Sequence, residues 1–178
     1  MRLFIAALIP EEIRKQLTNY INSLKYDIDG VKWEKSEKLH ITLKFLGDVD
    51  KSKVDDITNL LGNLASGFSP FKVQISEFGG IPHLRSPRIL YVGISNNKLL
   101  SRFHNELEQN LSGFGFEKEN RKFTPHVTIG RVKKKIHITE TPPITQKSFQ
   151  ITQIGLMKSE LRPNGSVYTP IKLFHLDK

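Results

Sequence analysis

The sequence predicts an α+β fold with antiparallel strand pairing, and three observations carry that prediction. Short alternating runs that read as strands recur beside amphipathic helices without the strict strand–helix–strand rhythm of a parallel, doubly wound sheet. Glycine and proline punctuate the runs, at Gly30, Gly79, Pro87, Gly113, Gly115 and the Pro163-Asn164-Gly165 turn, so that the chain reverses often. A tetrapeptide of the form His-apolar-Thr-apolar occurs once in each half of the 178 residues, as His40-Ile41-Thr42-Leu43 and as His126-Val127-Thr128-Ile129, as an internal duplication would place it.

Each element has its own signal. Leu3 to Leu8 reads as a strand. Pro10 then opens a helix with Glu11 and Glu12 behind it, because proline suits the first helical position and carboxylates suit the positive end of the helix dipole. Ile13, Leu17, Tyr20, Ile21 and Leu24 recur at helical spacing, and Gly30 closes the region before an extended Val31 to Trp33. The first motif strand covers Leu39 to Leu46 and stops at Gly47. A second helix is expected from Asp50 to Leu64, with Val54, Ile57, Leu60, Leu61 and Leu64 on one face. Phe71 to Ile75 alternates as a strand, Gly79 to Pro87 reads as a loop, and Ile89 to Ile94 as another strand. Leu99, Leu100, Phe103, Leu107 and Leu111 mark a third helix over Lys98 to Leu111. The second motif strand starts after Pro125, since proline is tolerated at a strand's first residue. A basic linker with Pro142 and Pro143 leads to a strand from Phe149 that runs on to Met157, and Val167 to Leu176 returns as the last strand. Nothing marks a linker between independent domains, so residues 1–178 are expected to form one domain.

Composition narrows the class of function. There are no cysteines, which excludes disulfides and thiolate metal sites. The opening apolar run is too short for a membrane helix and lacks a signal-peptide layout, so a soluble, cytoplasmic protein with no membrane partner is expected. Lys and Arg number 27 against 18 acidic residues, a net charge of +9 that attracts polyanions. Arg85, Arg88, Arg121, Lys122, Arg131 and the run Lys133 to Lys135 flank the second motif or the loop before it, so an anion bound there would lie in a basic surrounding.

The chemistry lies in the two tetrapeptides. Strand side chains alternate, so each motif puts its His and Thr on one face and its aliphatic pair on the other. Two imidazoles can divide general-acid and general-base work near neutral pH, and the hydroxyls can donate to an anion such as phosphate. A lone His-x-Thr is a weak signal, and His137-Ile138-Thr139-Glu140 is a decoy whose charged fourth position reads as an exposed segment. Lys44 shares the face of His40 and Thr42, whereas Phe45 has the parity of the core. Strict alternation puts Arg131 on the face opposite His126, so it reaches a cleft only if the strand ends or bulges. Tyr168, after a glycine turn, is a candidate to orient a motif side chain, and Trp33 reads as packing. His83, His104, His137 and His175 lack partners at a recognisable spacing. No carboxylate accompanies either motif at metal-ligand spacing, so no metal and no cofactor are expected.

The motifs and their flanks resemble a known family nearly end to end. The segments are Met1-Arg2-Leu3-Phe4-Ile5-Ala6, Val31-Lys32-Trp33, Leu39-His40-Ile41-Thr42-Leu43-Lys44-Phe45-Leu46-Gly47 and Pro87-Arg88-Ile89-Leu90-Tyr91-Val92-Gly93. They continue with Phe123-Thr124-Pro125-His126-Val127-Thr128-Ile129-Gly130-Arg131, Leu156-Met157-Lys158-Ser159-Glu160-Leu161 and Gly165-Ser166-Val167-Tyr168. The chain resembles the two-histidine phosphoesterase superfamily and, within it, the RNA 2′,3′-cyclic phosphodiesterases, also called 2′-5′ RNA ligases. The resemblance implies two pseudo-symmetric lobes, each a small antiparallel sheet with outer helices, and an active cleft between the sheets. It implies metal-independent hydrolysis of a 2′,3′-cyclic phosphodiester to a 2′-phosphate, with His40 as proton donor, His126 as proton acceptor, and Thr42 and Thr128 on the phosphate. Arg131, Lys44 and Tyr168 are further candidate substrate contacts. The symmetry of the motifs leaves the direction of proton transfer open on residues alone. The reverse reaction would join a 5′-hydroxyl in a 2′-5′ linkage without ATP. The expected partner is RNA with 2′,3′-cyclic phosphate ends, tRNA halves among them, and the expected state is a monomer. Two other readings stay open: a phosphodiesterase on another cyclic or 2′-5′ nucleotide, and a non-catalytic RNA-end binding protein.

Overall fold

In the computed structural model, which describes residues 1–95 and 97–178, the chain forms nine strands and three α-helices. Their order is β1 (Arg2–Leu8), α1 (Glu11–Asp27), β2 (Val31–Trp33), β3 (His40–Asp48), α2 (Val54–Ser66), β4 (Phe71–Ile81), β5 (Ile89–Ile94), α3 (Lys98–Ser112), β6 (His126–Val132), β7 (Ser148–Ile151), β8 (Gln153–Arg162) and β9 (Gly165–His175). The α+β prediction holds, and the described pairings are all antiparallel. No helix among the described residues is long and apolar enough to cross a membrane.

The strands run in the order β7-β4-β5-β6-β3-β1-β8-β9, with β2 also paired to β6. The duplication is visible in this order. In each half a strand, a helix and a motif strand follow one another (β1, α1, β3 and β5, α3, β6), and the motif strand pairs back on the strand before the helix. The two halves meet edge to edge at the motifs, where Ile41 pairs with Val127. The cleft therefore lies over the join between the two lobes.

One hydrophobic core extends through both halves. It combines Ile13, Leu17, Ile21 and Leu24 of α1, Ile57, Leu61 and Leu64 of α2, and Leu100, Phe103, Leu107 and Leu111 of α3 with the inward strand residues Ile41, Leu43, Val127 and Ile129. The aliphatic positions of both motifs are thus buried against the helices, as alternation requires. Helix starts follow their caps: Asp50 accepts from Ser52 N–H ahead of a short 3₁₀ turn that precedes α2, and Asn97 accepts from Leu100 N–H at the start of α3.

Three elements differ from the sequence reading. β4 continues through Gly79 and Gly80 to Ile81, where a loop was expected. Gly79 allows this because the Tyr91 ring of β5 crosses it; a Cβ there would lie 2.4 Å from Tyr91 Cζ. The strand expected from Phe149 to Met157 is divided at Thr152. Its first part, β7, pairs with β4, whereas β8 pairs with β1 and β9 at the other end of the sheet. The third difference concerns the motif strands and shapes the site.

Both motif strands bulge at the last residue of their motifs. On β3, Ile5 pairs with Lys44 and Ala6 with Thr42, so Leu43 is an extra residue; a second irregularity lies at Leu46. On β6, Leu90 pairs with Gly130 and Tyr91 with Thr128, so Ile129 is extra. Each bulge inverts the parity that follows it. Phe45, expected in the core, is turned out and is 70% exposed, while Leu46 is buried. Arg131 is likewise turned to the cleft side. Gly130 lets β2 lie across β6 at this point, since a Cβ would sit 2.6 Å from Val31 Cγ1 and 3.1 Å from Trp33 Cε3. Gly130→Ala is therefore expected to cost about 1–3 kcal/mol through overpacking, read as a lower urea midpoint at unchanged m-value. A midpoint equal to that of the parent protein would show that β2 yields freely.

Candidate active site

The antiparallel register at Ile41 and Val127 sets His40 beside Thr128 and Thr42 beside His126, with a local two-fold relation between the motifs. All four polar side chains are half-buried on the face opposite the helices. Each imidazole is held in the same manner. His40 Nδ1 donates to the Lys38 carbonyl at 2.7 Å, and His126 Nδ1 donates to the Thr124 carbonyl at 2.9 Å. A carbonyl oxygen can only accept, so both neutral rings carry their proton on Nδ1 and leave Nε2 as the reactive nitrogen. Thr42 Oγ1 lies 3.1 Å from His40 Nε2 and donates to it.

Aromatic rings fix the imidazoles from behind. Phe4 lies 5.0 Å from the His40 ring and 5.0 Å from Tyr168, and Tyr168 meets His40 edge-on at 5.4 Å. Tyr91 lies 5.1 Å from His126. Two adjoining cavities open over the motifs, about 410 Å³ on the His40 side and about 590 Å³ on the His126 side. They share Thr42, Thr128, Phe45 and Arg131 and so form one continuous cleft centred on the threonines. The bulges supply the last two of these residues, each five positions beyond its motif histidine.

The comparisons with known proteins decide the family. A model of LigT-like phosphoesterases matches residues 8–91 and again 92–168, one match per half of the chain. The chain belongs to the LigT-like phosphoesterase family. It is 38% identical to the RNA 2′,3′-cyclic phosphodiesterase of Methanocaldococcus jannaschii, over 97% of this chain and 99% of that one. Among solved structures it superposes on TT0787 of Thermus thermophilus with a TM-score of 0.86, at 27% identity and covering 99% of this chain and 98% of that chain. Escherichia coli LigT complexed with 3′-AMP gives a TM-score of 0.81, with the same identity and coverage.

The charges around this LigT-like cleft are arranged unequally. Burial lowers the His40 pKa below the ordinary imidazole value; the Lys38 hydrogen bond and the Glu34 carboxylate oppose that shift, and positive charge at His126 and Arg131 adds to it. Glu34 bonds Arg131 Nε at 3.2 Å and lies 3.8 Å from Lys38 Nζ. Sequence reasoning missed Glu34 because it follows β2, whose pairing with β6 joins residues nearly a hundred positions apart and leaves no local mark. Lys38 and Phe4 were missed as well: one acts through a backbone carbonyl, and the other looks like any strand phenylalanine.

The remaining predicted residues divide. Tyr168 packs on His40 and lines the cleft. Lys44 lines it on the His126 side, but its ammonium is committed to Glu108 Oε2 at 2.9 Å and to the Glu117 carbonyl at 2.6 Å. Of the basic cluster, Arg121, Lys122 and Arg131 line the cleft, and Arg2 and Lys38 join them; Arg85, Arg88 and Lys133 to Lys135 do not. Trp33 packs against the core. His137 sits outside any strand, with Nδ1 3.0 Å from the Arg85 carbonyl, as its decoy motif suggested.

Proposed function

We propose that this protein hydrolyses 2′,3′-cyclic phosphodiesters at RNA ends to 2′-phosphates, with His126 as general base and His40 as general acid. The observation that carries this reading is the pair of imidazoles, each held through Nδ1 by a backbone carbonyl, set on either side of two threonine hydroxyls on one strand face. The matching relative from M. jannaschii bears the name of this activity.

The chemistry follows from that arrangement. The cyclic phosphate sits between Thr42 and Thr128, whose hydroxyls donate to the non-bridging oxygens where charge develops. Arg131, with Nε on Glu34, offers its remaining N–H groups to the same anion. His126 Nε2 takes a proton from the attacking water, and the bond from phosphorus to O3′ breaks in line. His40 delivers its proton to O3′, leaving a 2′-phosphate and a 3′-hydroxyl. In the empty cleft burial favours neutral His40; the arriving phosphodiester anion favours the imidazolium, so the acid is loaded as substrate binds. Phe45, exposed at the junction of both cavities, offers a face on which a base can stack. A 5′-hydroxyl in place of water gives the reverse ligation, and the cavity on the His126 side, about 590 Å³, is far larger than the ~30 Å³ of a water.

Both halves of residues 1–178 contribute to the one cleft, so the chain acts as a single bilobal domain and needs no second copy to complete the site. The basic residues at both ends of the cleft favour an RNA over a small cyclic nucleotide, tRNA halves being one such RNA, and a cysteine-free chain suits cytoplasmic work. Binding assays on the His40→Ala variant test the RNA assignment. An oligonucleotide with a cyclic phosphate end should bind more tightly than a cyclic mononucleotide. If two further phosphates are engaged, that advantage falls about sevenfold between 50 and 200 mM salt. Charge reversal at Arg121 and Lys122 should remove part of it, and reversal at Lys133 to Lys135 should not. Equal binding of both ligands at all salt concentrations would instead favour a small-molecule cyclic phosphodiesterase.

A further inference from the structure

A buried ionic cluster lies beside the His126 end of the cleft, and the acid–base chemistry makes no use of it. His104 and Glu108, one turn apart on α3, are the buried titratable residues among those described, 7% and 8% exposed. Glu108 Oε2 accepts from Lys44 Nζ at 2.9 Å and from the Glu119 backbone N–H at 2.9 Å. Lys44 also donates to the Glu117 carbonyl. The His104 ring stacks on Phe123 at 3.9 Å with the planes 8° apart. Glu108 Oε1 has no hydrogen-bond partner and lies 3.8 Å from His104 Nε2.

Stability alone does not explain such a cluster. A buried ion pair costs much of its attraction in desolvation, and apolar side chains of similar size commonly serve the fold as well or better. What the cluster does hold is the segment from 113 to 125, which has no helix or strand of its own and leads directly into β6. Glu117, Glu119 and Phe123 are its anchor points, and the next residue, Thr124, supplies the carbonyl that holds His126 Nδ1. Lys44 comes from the other motif strand, so the same cluster ties the support of His126 to the strand that carries His40.

We propose that Glu108 is a positioning residue for His126: by accepting from Glu119 N–H and Lys44 it fixes the Phe123–Thr124 segment, and so keeps His126 in its Nδ1–H form with Nε2 turned to the cleft. The inference rests on the reading of His126 as the base. Its effect belongs in kcat, because a misaligned base leaves the groups that bind phosphate in place.

Two variants test it. Glu119→Pro removes the backbone donor from an exposed segment without touching the core. Lys44→Met with Glu108→Leu replaces the buried ion pair by apolar side chains. In either variant that folds, the expected results are a kcat about tenfold lower, a KM within about twofold of wild type, and ¹⁵N shifts of His126 that change from the Nδ1–H form to a mixture of tautomers. A folded variant with wild-type kcat, or with His126 still wholly Nδ1–H, would overturn the proposal. The ¹⁵N measurement needs no substrate. A wild-type protein without cyclic-phosphodiesterase activity would refute the functional reading while the tautomer result still judged Glu108.

Discussion

Replacing His40 or His126 by alanine is expected to lower kcat/KM on a cyclic-phosphate-ended RNA by at least about a hundredfold, the low end for loss of a general acid or base. The two losses should differ in kind. Without His126 the water must attack undeprotonated, whatever the leaving group. Without His40 the difficulty lies in expelling an unprotonated ribose oxygen, so the His40→Ala defect should shrink on an aryl phosphodiester whose phenolate departs without a proton. The pH–rate profile should lose its acidic limb in His126→Ala and its basic limb in His40→Ala. Retention of full turnover in both single variants would remove the imidazoles from the mechanism. A leaving-group effect in His126→Ala in place of His40→Ala would exchange their roles.

The threonines give the second large effect. Thr42→Val and Thr128→Val preserve strand shape while removing one hydroxyl each. The expected loss is about 1–3 kcal/mol of transition-state stabilisation per site, as for hydrogen bonds to a charged group, read as kcat/KM. The two sites are related by the register of β3 and β6 but are not equivalent, because Thr42 also donates to His40 Nε2. In the empty cleft that bond favours the neutral ring, so Thr42→Val should also raise the proton affinity of free His40 and move the basic limb of the kcat/KM profile to higher pH, which Thr128→Val should leave alone. Valine variants that turn over as wild type would make these hydroxyls structural.

Much of this site was legible in the residue pattern for a simple reason: alternation along a strand is a local rule, and it holds through His40 to Leu43 and through His126 to Ile129. It fails where the ladder does. Leu43 and Ile129 are extra residues in their pairings, and a bulge depends on the partner strand, so Phe45 and Arg131 could not be placed by counting. Counting alone places Arg131 in the cleft only if the strand ends or bulges, and it puts Phe45 on the wrong face. The α-helices were readable from their apolar spacing. The extent of β4 depended on how Tyr91 packs over Gly79, and the separation of β7 from β8 depended on which strand each half pairs with. Glu34 and the cluster at Glu108 join distant segments and are properties of the fold.

The measurement that bears most directly on the account is the identity of the product. An oligonucleotide ending in a 2′,3′-cyclic phosphate, incubated with the purified protein in EDTA and resolved by ³¹P NMR against authentic standards, is expected to yield the 2′-phosphate alone, at the rate seen without chelator. A 3′-phosphate product would contradict the assignment of O3′ as the leaving oxygen, and activity lost in EDTA and restored by a divalent metal would contradict catalysis by the histidine pair.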